Sequence, residues 1–206
     1  MNENNIIGVI LAGGKSKRIG RDKSTIKLGN KTLLEHTISK IKKNFSEILI
    51  ISNNKELQFS KENIFLLEDC IKGQLGPLVG VLTAMKWVEK YKKNYNWVGT
   101  FPCDTPFFNN QIVDELKRAS LKSDKKLIFL KSGEKRHNIF GLWSMELKEI
   151  LEKDINNNSR KVEEWADKIG SEIINIDAGK FNSFLNINTH ADYEIAKKNI
   201  DKIKYD

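Results

Sequence analysis

Between Leu11 and Lys23 the chain concentrates three glycines, three lysines and two arginines. Gly13 and Gly14 lack Cβ atoms, so the backbone there can approach a ligand closely and present N–H donors, while Arg18 and Lys23 supply positive charge. That is chemistry for an anion, phosphate above all. A second concentration is Pro102-Cys103-Asp104-Thr105-Pro106, where two prolines stiffen the loop around one carboxylate. Asn53 and Asp69 each follow an apolar run, and Asn186 and Asn188 flank Ile187 at strand spacing, which puts both amides on one side as the polar wall of a pocket. Each residue also has an ordinary use: Asp104, Asn53 and Asp69 as turn formers, Lys23 as a solvated lysine, Asn186 and Asn188 as partners of loop backbone.

Two familiar phosphate loops do not fit the first segment. Gly14-Lys15-Ser16 imitates the end of GxxxxGK[ST], but the earlier glycine would fall at Val9. A GxGxxG dinucleotide fingerprint fails as well, because the glycines are not spaced that way.

The elements that must position these residues alternate. Ile6 to Ala12 is an apolar, β-branched run, the pattern of a strand buried on both faces. Thr32 to Asn44 carries apolar residues at offsets of three and four and predicts a helix; Glu47 to Ser52 and Ile64 to Leu67 predict strands. Gly76-Pro77 opens a helix, Trp97 to Phe101 is a strand running into the Asp104 loop, and Asn110 to Ala119 is the helix after it. Strands at Lys126 to Leu130, Ile139 to Trp143 and Glu172 to Ile176 follow, with helices near Glu146 to Leu151, Lys161 to Ile169 and Ala191 to Ile203. The expectation is a single three-layer α/β domain over 1–206 with a mostly parallel sheet, its ligand-binding loops at the carboxyl ends of the strands.

Composition narrows the classes of partner. With 206 residues, 39% hydrophobic and 30% charged, the chain can bury a sizeable core and is outside the range of disordered tails. No apolar run approaches the ~20 residues a membrane helix needs, and Met1 to Asn5 does not resemble a signal peptide, so a cytoplasmic protein is expected. Cys70 and Cys103, far apart and without a CxxC, read as reduced thiols and not as a zinc site. A net charge of +8 favours acidic partners, yet the lysine pairs are not interleaved with aromatics as in RNA-binding modules, and nucleic acid is not expected.

The order LAGG-x-S-x-R-x-G-x-DK from Leu11 to Lys23 resembles the nucleotide loop of the nucleotidyltransferases, most closely the molybdenum cofactor guanylyltransferases. Asn53, Glu68-Asp69, Gly76-Pro77-Leu78-x-Gly80, Pro102-Cys103-Asp104-Thr105-Pro106 and Asn186-Ile187-Asn188-Thr189 look like that family's later blocks, in its order. The resemblance implies a Rossmann-like nucleotidyltransferase fold and transfer of GMP from GTP to the phosphate of molybdopterin cofactor, with release of pyrophosphate. It implies that Leu11, Ala12, Gly13 and Gly14 meet the nucleotide, that Lys23 and Arg18 contact its phosphates, and that Asn53 and Asp69 help hold the nucleoside. Asp104 matches the family's Mg²⁺ ligand, so Asp104, Lys23 and Arg18 form the expected catalytic set. Asn186, Asn188 and Arg136 are the expected acceptor contacts. A pterin this labile implies transient contact with cofactor-synthesis or molybdoenzyme-maturation proteins. Two departures are visible: His190 stands where many members carry proline, and Lys135-Arg136-His137-Asn138 only loosely matches the family's strand entry, which often reads His-Pro. The rival readings are a cytidylyl or sugar-phosphate transferase and a non-enzymatic basic protein binding nucleotides or RNA. LAGG against LAAG, and Ser16-Lys17-Arg18 against GTR, favour the guanylyl branch.

Overall fold

The computed structural model describes residues 6–13, 22–73, 75–91, 94–179 and 182–205. Chain order runs β1 (Ile6–Leu11), the small hairpin β2 (Lys27–Leu28) and β3 (Lys31–Thr32), α1 (Leu33–Ile41), β4 (Ile48–Ile51), β5 (Ile64–Leu67) and α2 (Pro77–Tyr91). It continues with β6 (Trp97–Pro102), α3 (Gln111–Ser120), β7 (Leu127–Ser132), β8 (Lys135–Ser144), α4 (Lys148–Asn156), α5 (Val162–Ile169), β9 (Glu172–Asn175) and α6 (His190–Lys198).

Local chemistry sets the helix starts. Thr32 Oγ1 accepts the Glu35 N–H at 3.1 Å while Glu35 Oε2 accepts the Thr32 N–H at 2.7 Å, a reciprocal cap that begins α1 one residue later than the apolar pattern alone suggests. Thr189 and Asp192 repeat the device on α6. Pro77 opens α2, where a missing N–H costs nothing, after Gly76 at φ +90°, a conformation that suits glycine.

The seven-stranded sheet has the order β5-β4-β1-β6-β8-β7-β9, and every neighbouring pair is parallel except those made by β8. One face buries Ile7, Val9, Leu49, Val98, Phe129 and Trp143 under α2, α4 and α5; the other buries Ile6, Ile10, Ile50, Phe101 and Leu130 under α1 and α3. This is the expected three-layer arrangement. Strand order reverses between β1 and β6, whose ends lie side by side with Leu11 opposite Pro102. A crevice at such a reversal, outside the carboxyl ends of the strands, is where open α/β sheets bind ligands.

Three features depart from the sequence expectation. The β2–β3 hairpin has strands of two residues, too short for any periodicity to show. The strand expected at Ile139 to Trp143 begins at Lys135 and runs antiparallel to both neighbours, with a register shift that leaves Asn138, Ile139 and Phe140 outside the ladder. The last helix stops at Lys198 and gives way to a short 3₁₀ turn at Ile200–Lys202.

Candidate active site

Four loops reach the crevice from strand ends: Ala12 and Gly13 after β1, Ser52 and Asn53 after β4, Glu68 and Asp69 after β5, Cys103 to Thr105 after β6. The β1 and β6 loops are tied together, the Cys103 N–H donating to the Leu11 carbonyl at 3.4 Å. Gly14 and Arg18 lie outside the described residues.

Lys23 enters from the loop that follows. Asp22 accepts the Ser24 N–H at 2.9 Å and so starts a short 3₁₀ turn that presents the next side chain inward. The Lys23 ammonium lies 2.5 Å from Asp104 Oδ2 and also donates to Asn188 Oδ1. Asp104 is buried, and its other carboxylate oxygen accepts the Thr105 hydroxyl at 3.3 Å. Its main-chain carbonyl accepts the Ile187 N–H at 2.8 Å, which draws the segment carrying Asn186 and Asn188 against the β6 loop. Ile187 is fully buried with Leu28, Leu33, Phe107 and Ala196, so the hairpin and α6 form the floor under that segment. Asp192 accepts the N–H groups of Asn188 at 3.0 Å and Thr189 at 2.8 Å, which fixes the Asn188 backbone. Asn186 Oδ1 is buried without a hydrogen-bond partner, an acceptor of the kind a ligand donor satisfies.

On the other flank Asn53 and Asp69 hold each other reciprocally: the Asn53 amide donates to Asp69 Oδ2 at 2.6 Å, and the Asp69 N–H donates to Asn53 Oδ1 at 3.0 Å. Burial pushes the Asp69 carboxyl above its ordinary value, and the Asn53 bond opposes that rise. Asp69 Oδ1 lies over Gly80 in the first turn of α2, where an added Cβ would come 2.8 Å from the Leu11 side chain. Leu11, Asp69 and α2 thereby border one slot.

Arg136 is placed elsewhere. Its guanidinium reaches α5, with Nη1 2.7 Å from Asp167 Oδ1 and Nη2 3.4 Å from Glu163 Oε1, and its Nε is buried without a partner. The neighbouring His137 turns to the opposite face, bonded to Ser132 Oγ at 2.7 Å and stacked on Phe184 at 3.8 Å between ring centroids. Cys103 is buried, which pushes its thiol well above the ordinary value and removes it as a nucleophile.

Asp22, Thr105 and Asp192 support Lys23, Asp104 and Asn188 through hydrogen bonds, a role that the sequence motifs containing the first two do not show. The spacing Thr189-x-x-Asp192 could have flagged the last as a helix cap. Among the described residues no group of three or more His, Cys, Asp or Glu converges on a metal position. The donor set nevertheless suits a hard cation: Asp104 and Asn188 both turn oxygens on the Lys23 ammonium, leaving phosphate and water oxygens to fill the rest of a shell.

The Lys23 ammonium set against a buried carboxylate at the strand-order reversal of a mostly parallel sheet defines an α/β protein with a charged candidate site at the carboxyl ends of its strands. Comparison with known proteins makes the class specific. Residues 8–169 match the family model described as a MobA-like NTP transferase domain. The molybdenum cofactor guanylyltransferase of Haemophilus influenzae (strain 86-028NP) is 35% identical over 183 residues, 87% of this chain and 92% of that one. That of Yersinia pseudotuberculosis serotype O:1b (strain IP 31758) is 31% identical, over 93% of this chain and 94% of its own. Among solved structures, molybdopterin-guanine dinucleotide biosynthesis protein A from Archaeoglobus fulgidus shares the fold with a TM-score of 0.78 at 21% identity, covering 95% of this chain and 99% of that one. The 2-C-methyl-D-erythritol 4-phosphate cytidylyltransferase of Francisella tularensis shares it too, with a TM-score of 0.71 at 18% identity, over 95% and 99% of the two chains. The chain belongs to the MobA-like NTP transferase family.

Proposed function

We infer that this protein is a molybdenum cofactor guanylyltransferase, moving GMP from GTP onto the phosphate of a molybdopterin cofactor and releasing pyrophosphate. The observation that carries the reading is the Lys23–Asp104 pair at the reversal between β1 and β6, in a chain 35% identical to a guanylyltransferase over most of its length.

The acceptor phosphate oxygen attacks the α-phosphorus in line, and the bond from that phosphorus to the bridging oxygen of pyrophosphate breaks. The nucleophile is already an anion, so no side chain has to activate it and no covalent intermediate is required. What the site must do is hold two anions together. Two unit charges at 4 Å repel by about 4 kcal/mol at an effective dielectric of 20. Lys23, with Arg18 from the same loop, offsets that repulsion. A divalent cation, which we take to be Mg²⁺, would be held by Asp104 and supply further charge neutralisation at the phosphates. Asp69 accepts from the N1–H and exocyclic amine of guanine, held in place by Asn53; adenine offers no such pair of donors. Backbone at Leu11, Ala12, Gly13 and Gly14 lines the nucleotide, and Asn186 and Asn188 face the acceptor, the unpartnered Asn186 oxygen taking a donor from it. Arg136 would join the acceptor contacts only by leaving Asp167. Among the described residues no helix is long and apolar enough to cross a membrane, and we assign the reaction to the cytoplasm, with the pterin passed on by transient contacts with proteins of the same cofactor's synthesis.

The test is isothermal titration with GTP, CTP and ATP, each with Mg²⁺ and with EDTA. Preference for GTP that weakens in Lys23→Ala supports the reading. Equal affinity for all three, or none, overturns it, and a preference for CTP would move the protein to the cytidylyl branch whose fold it shares.

A further inference from the structure

Lys23 is held in a way that a lysine waiting for phosphate does not need. Its side chain is 15% exposed and that of Asp104 13%, and the ammonium sits between two oxygens brought from distant parts of the chain, Asp104 Oδ2 and Asn188 Oδ1. The Thr105 hydroxyl donates to the other Asp104 carboxylate oxygen, the Asp104 main-chain carbonyl holds Ile187, and Asp192 caps the Asn188 N–H, so the backbones that carry both oxygens are fixed side by side. A carboxylate and an amide oxygen converging on a positive charge are the protein half of a shell for a hard divalent ion.

One position cannot hold an ammonium and a divalent cation together, since like charges at contact distance repel strongly in a half-buried site. A triphosphate offers the ammonium a stronger set of acceptors and, by drawing it aside, uncovers the Asp104 oxygen. We propose that Lys23 is a displaceable counter-ion: in the nucleotide-free protein it occupies the cation position at Asp104, and it makes divalent-cation loading conditional on nucleotide. The inference rests on the reading of Asp104 as cation ligand and Lys23 as phosphate contact. It adds an order of events and gives Lys23 two stations. It also explains how the Asp104 carboxylate has its charge paired before substrate arrives.

The experiment measures Mn²⁺ binding to the full chain by the loss of the free-ion electron paramagnetic resonance signal, with and without a non-hydrolysable GTP analogue. The proteins are wild type, Lys23→Met, Lys23→Gln and Asp104→Asn. Without nucleotide, both Lys23 variants are expected to bind Mn²⁺ about tenfold or more tightly than wild type, a coupling of ordinary size for two linked ligands. Equal nucleotide-free affinity in wild type and both variants overturns the counter-ion role alone. Undiminished binding of Mn²⁺ with the analogue in Asp104→Asn overturns the reading beneath it as well.

Discussion

The imidazole of His137 lies nearly flat on the ring of Phe184, centroids 3.8 Å apart and planes 20° from parallel. Phe184 stands three residues before Ile187, so the stack ties β8 to the segment that brings Asn186 and Asn188 to Asp104. Burial, helped by the charge of Lys135, lowers the His137 pKa to about 4. Between about 4 and the unperturbed 6.5, the unfolded chain therefore binds more protons at this residue than the folded one, and its contribution to stability is lost as pH falls through that window. The loss is at most about 1.4 kcal/mol per pH unit. His36, also depressed by burial, acts in the same direction. Urea unfolding at pH 7 and pH 5 should show a smaller drop in His137→Phe than in wild type, because phenylalanine keeps the stack and cannot be protonated. An identical drop in both would remove His137 from the account.

Asp104 has separate structural and chemical halves. Its main-chain carbonyl holds Ile187, while its side chain faces Lys23 and Thr105. Asp104→Asn keeps the first half and the shape of the second but leaves the Lys23 ammonium without its counter-charge, so the melting temperature should fall modestly while the fold is kept. Turnover at saturating substrate should fall about a hundredfold or more, the scale on which single electrostatic groups in preorganised sites act. A variant that melts like wild type and turns over like it would exclude the carboxylate from the chemistry.

The sheet and most helices were legible because the strands are short apolar runs, the helices repeat apolar residues at offsets of three and four, and Gly13, Asn53, Pro77 and Pro102 mark their ends. Lys23, Asp104 and Asn188 could each be chosen from the sequence as chemistry-bearing residues. That Lys23 and Asp104 share a site was implied by the family resemblance and by no local pattern, since 81 and 165 residues separate Lys23 from its two partners and only the strand order joins them. Arg136 shows the reverse. Its type suggested an anion contact, but its partners, Glu163 and Asp167, lie on a helix whose approach depends on the antiparallel course of β8, which no local pattern announces. The two-residue strands β2 and β3 escaped for want of length, although they carry Leu28 into the floor beneath Ile187.

Asp69 makes a prediction about the base. GTP should bind more tightly than ITP, which lacks the exocyclic amine, and Asp69→Asn should reduce that preference severalfold or more, since a neutral amide loses the charge that strengthens both bonds. Because burial raises the Asp69 pKa, GTP affinity should fall as pH is lowered toward it, and Asn53→Ala should move that fall to higher pH by removing the bond that opposes the rise. Titrations with both nucleotides across pH 4.5 to 7.5 measure this. A GTP preference unchanged in Asp69→Asn would transfer base recognition to the backbone.

Gly80 separates folding from binding. A methyl group there would meet Leu11 Cδ2 at 2.8 Å, and Asp69 Oδ1 lies 3.8 Å away. Alanine in a helix is favoured over glycine by about 1 kcal/mol, while crowding a packed position costs about 1–3 kcal/mol. The contact is with the end of a half-buried side chain, so Leu11 can yield and the net change in stability of Gly80→Ala should stay within about 1 kcal/mol. The direction in which it yields matters more. Backbone pairing with β4 and β6 fixes the Leu11 main chain, so the displaced side chain must move within the slot that it borders with Asp69. GTP affinity should fall severalfold while the urea midpoint barely moves. If instead the midpoint collapses and the remaining folded protein binds GTP normally, the contact between α2 and β1 serves packing alone and the slot is not where the base lies.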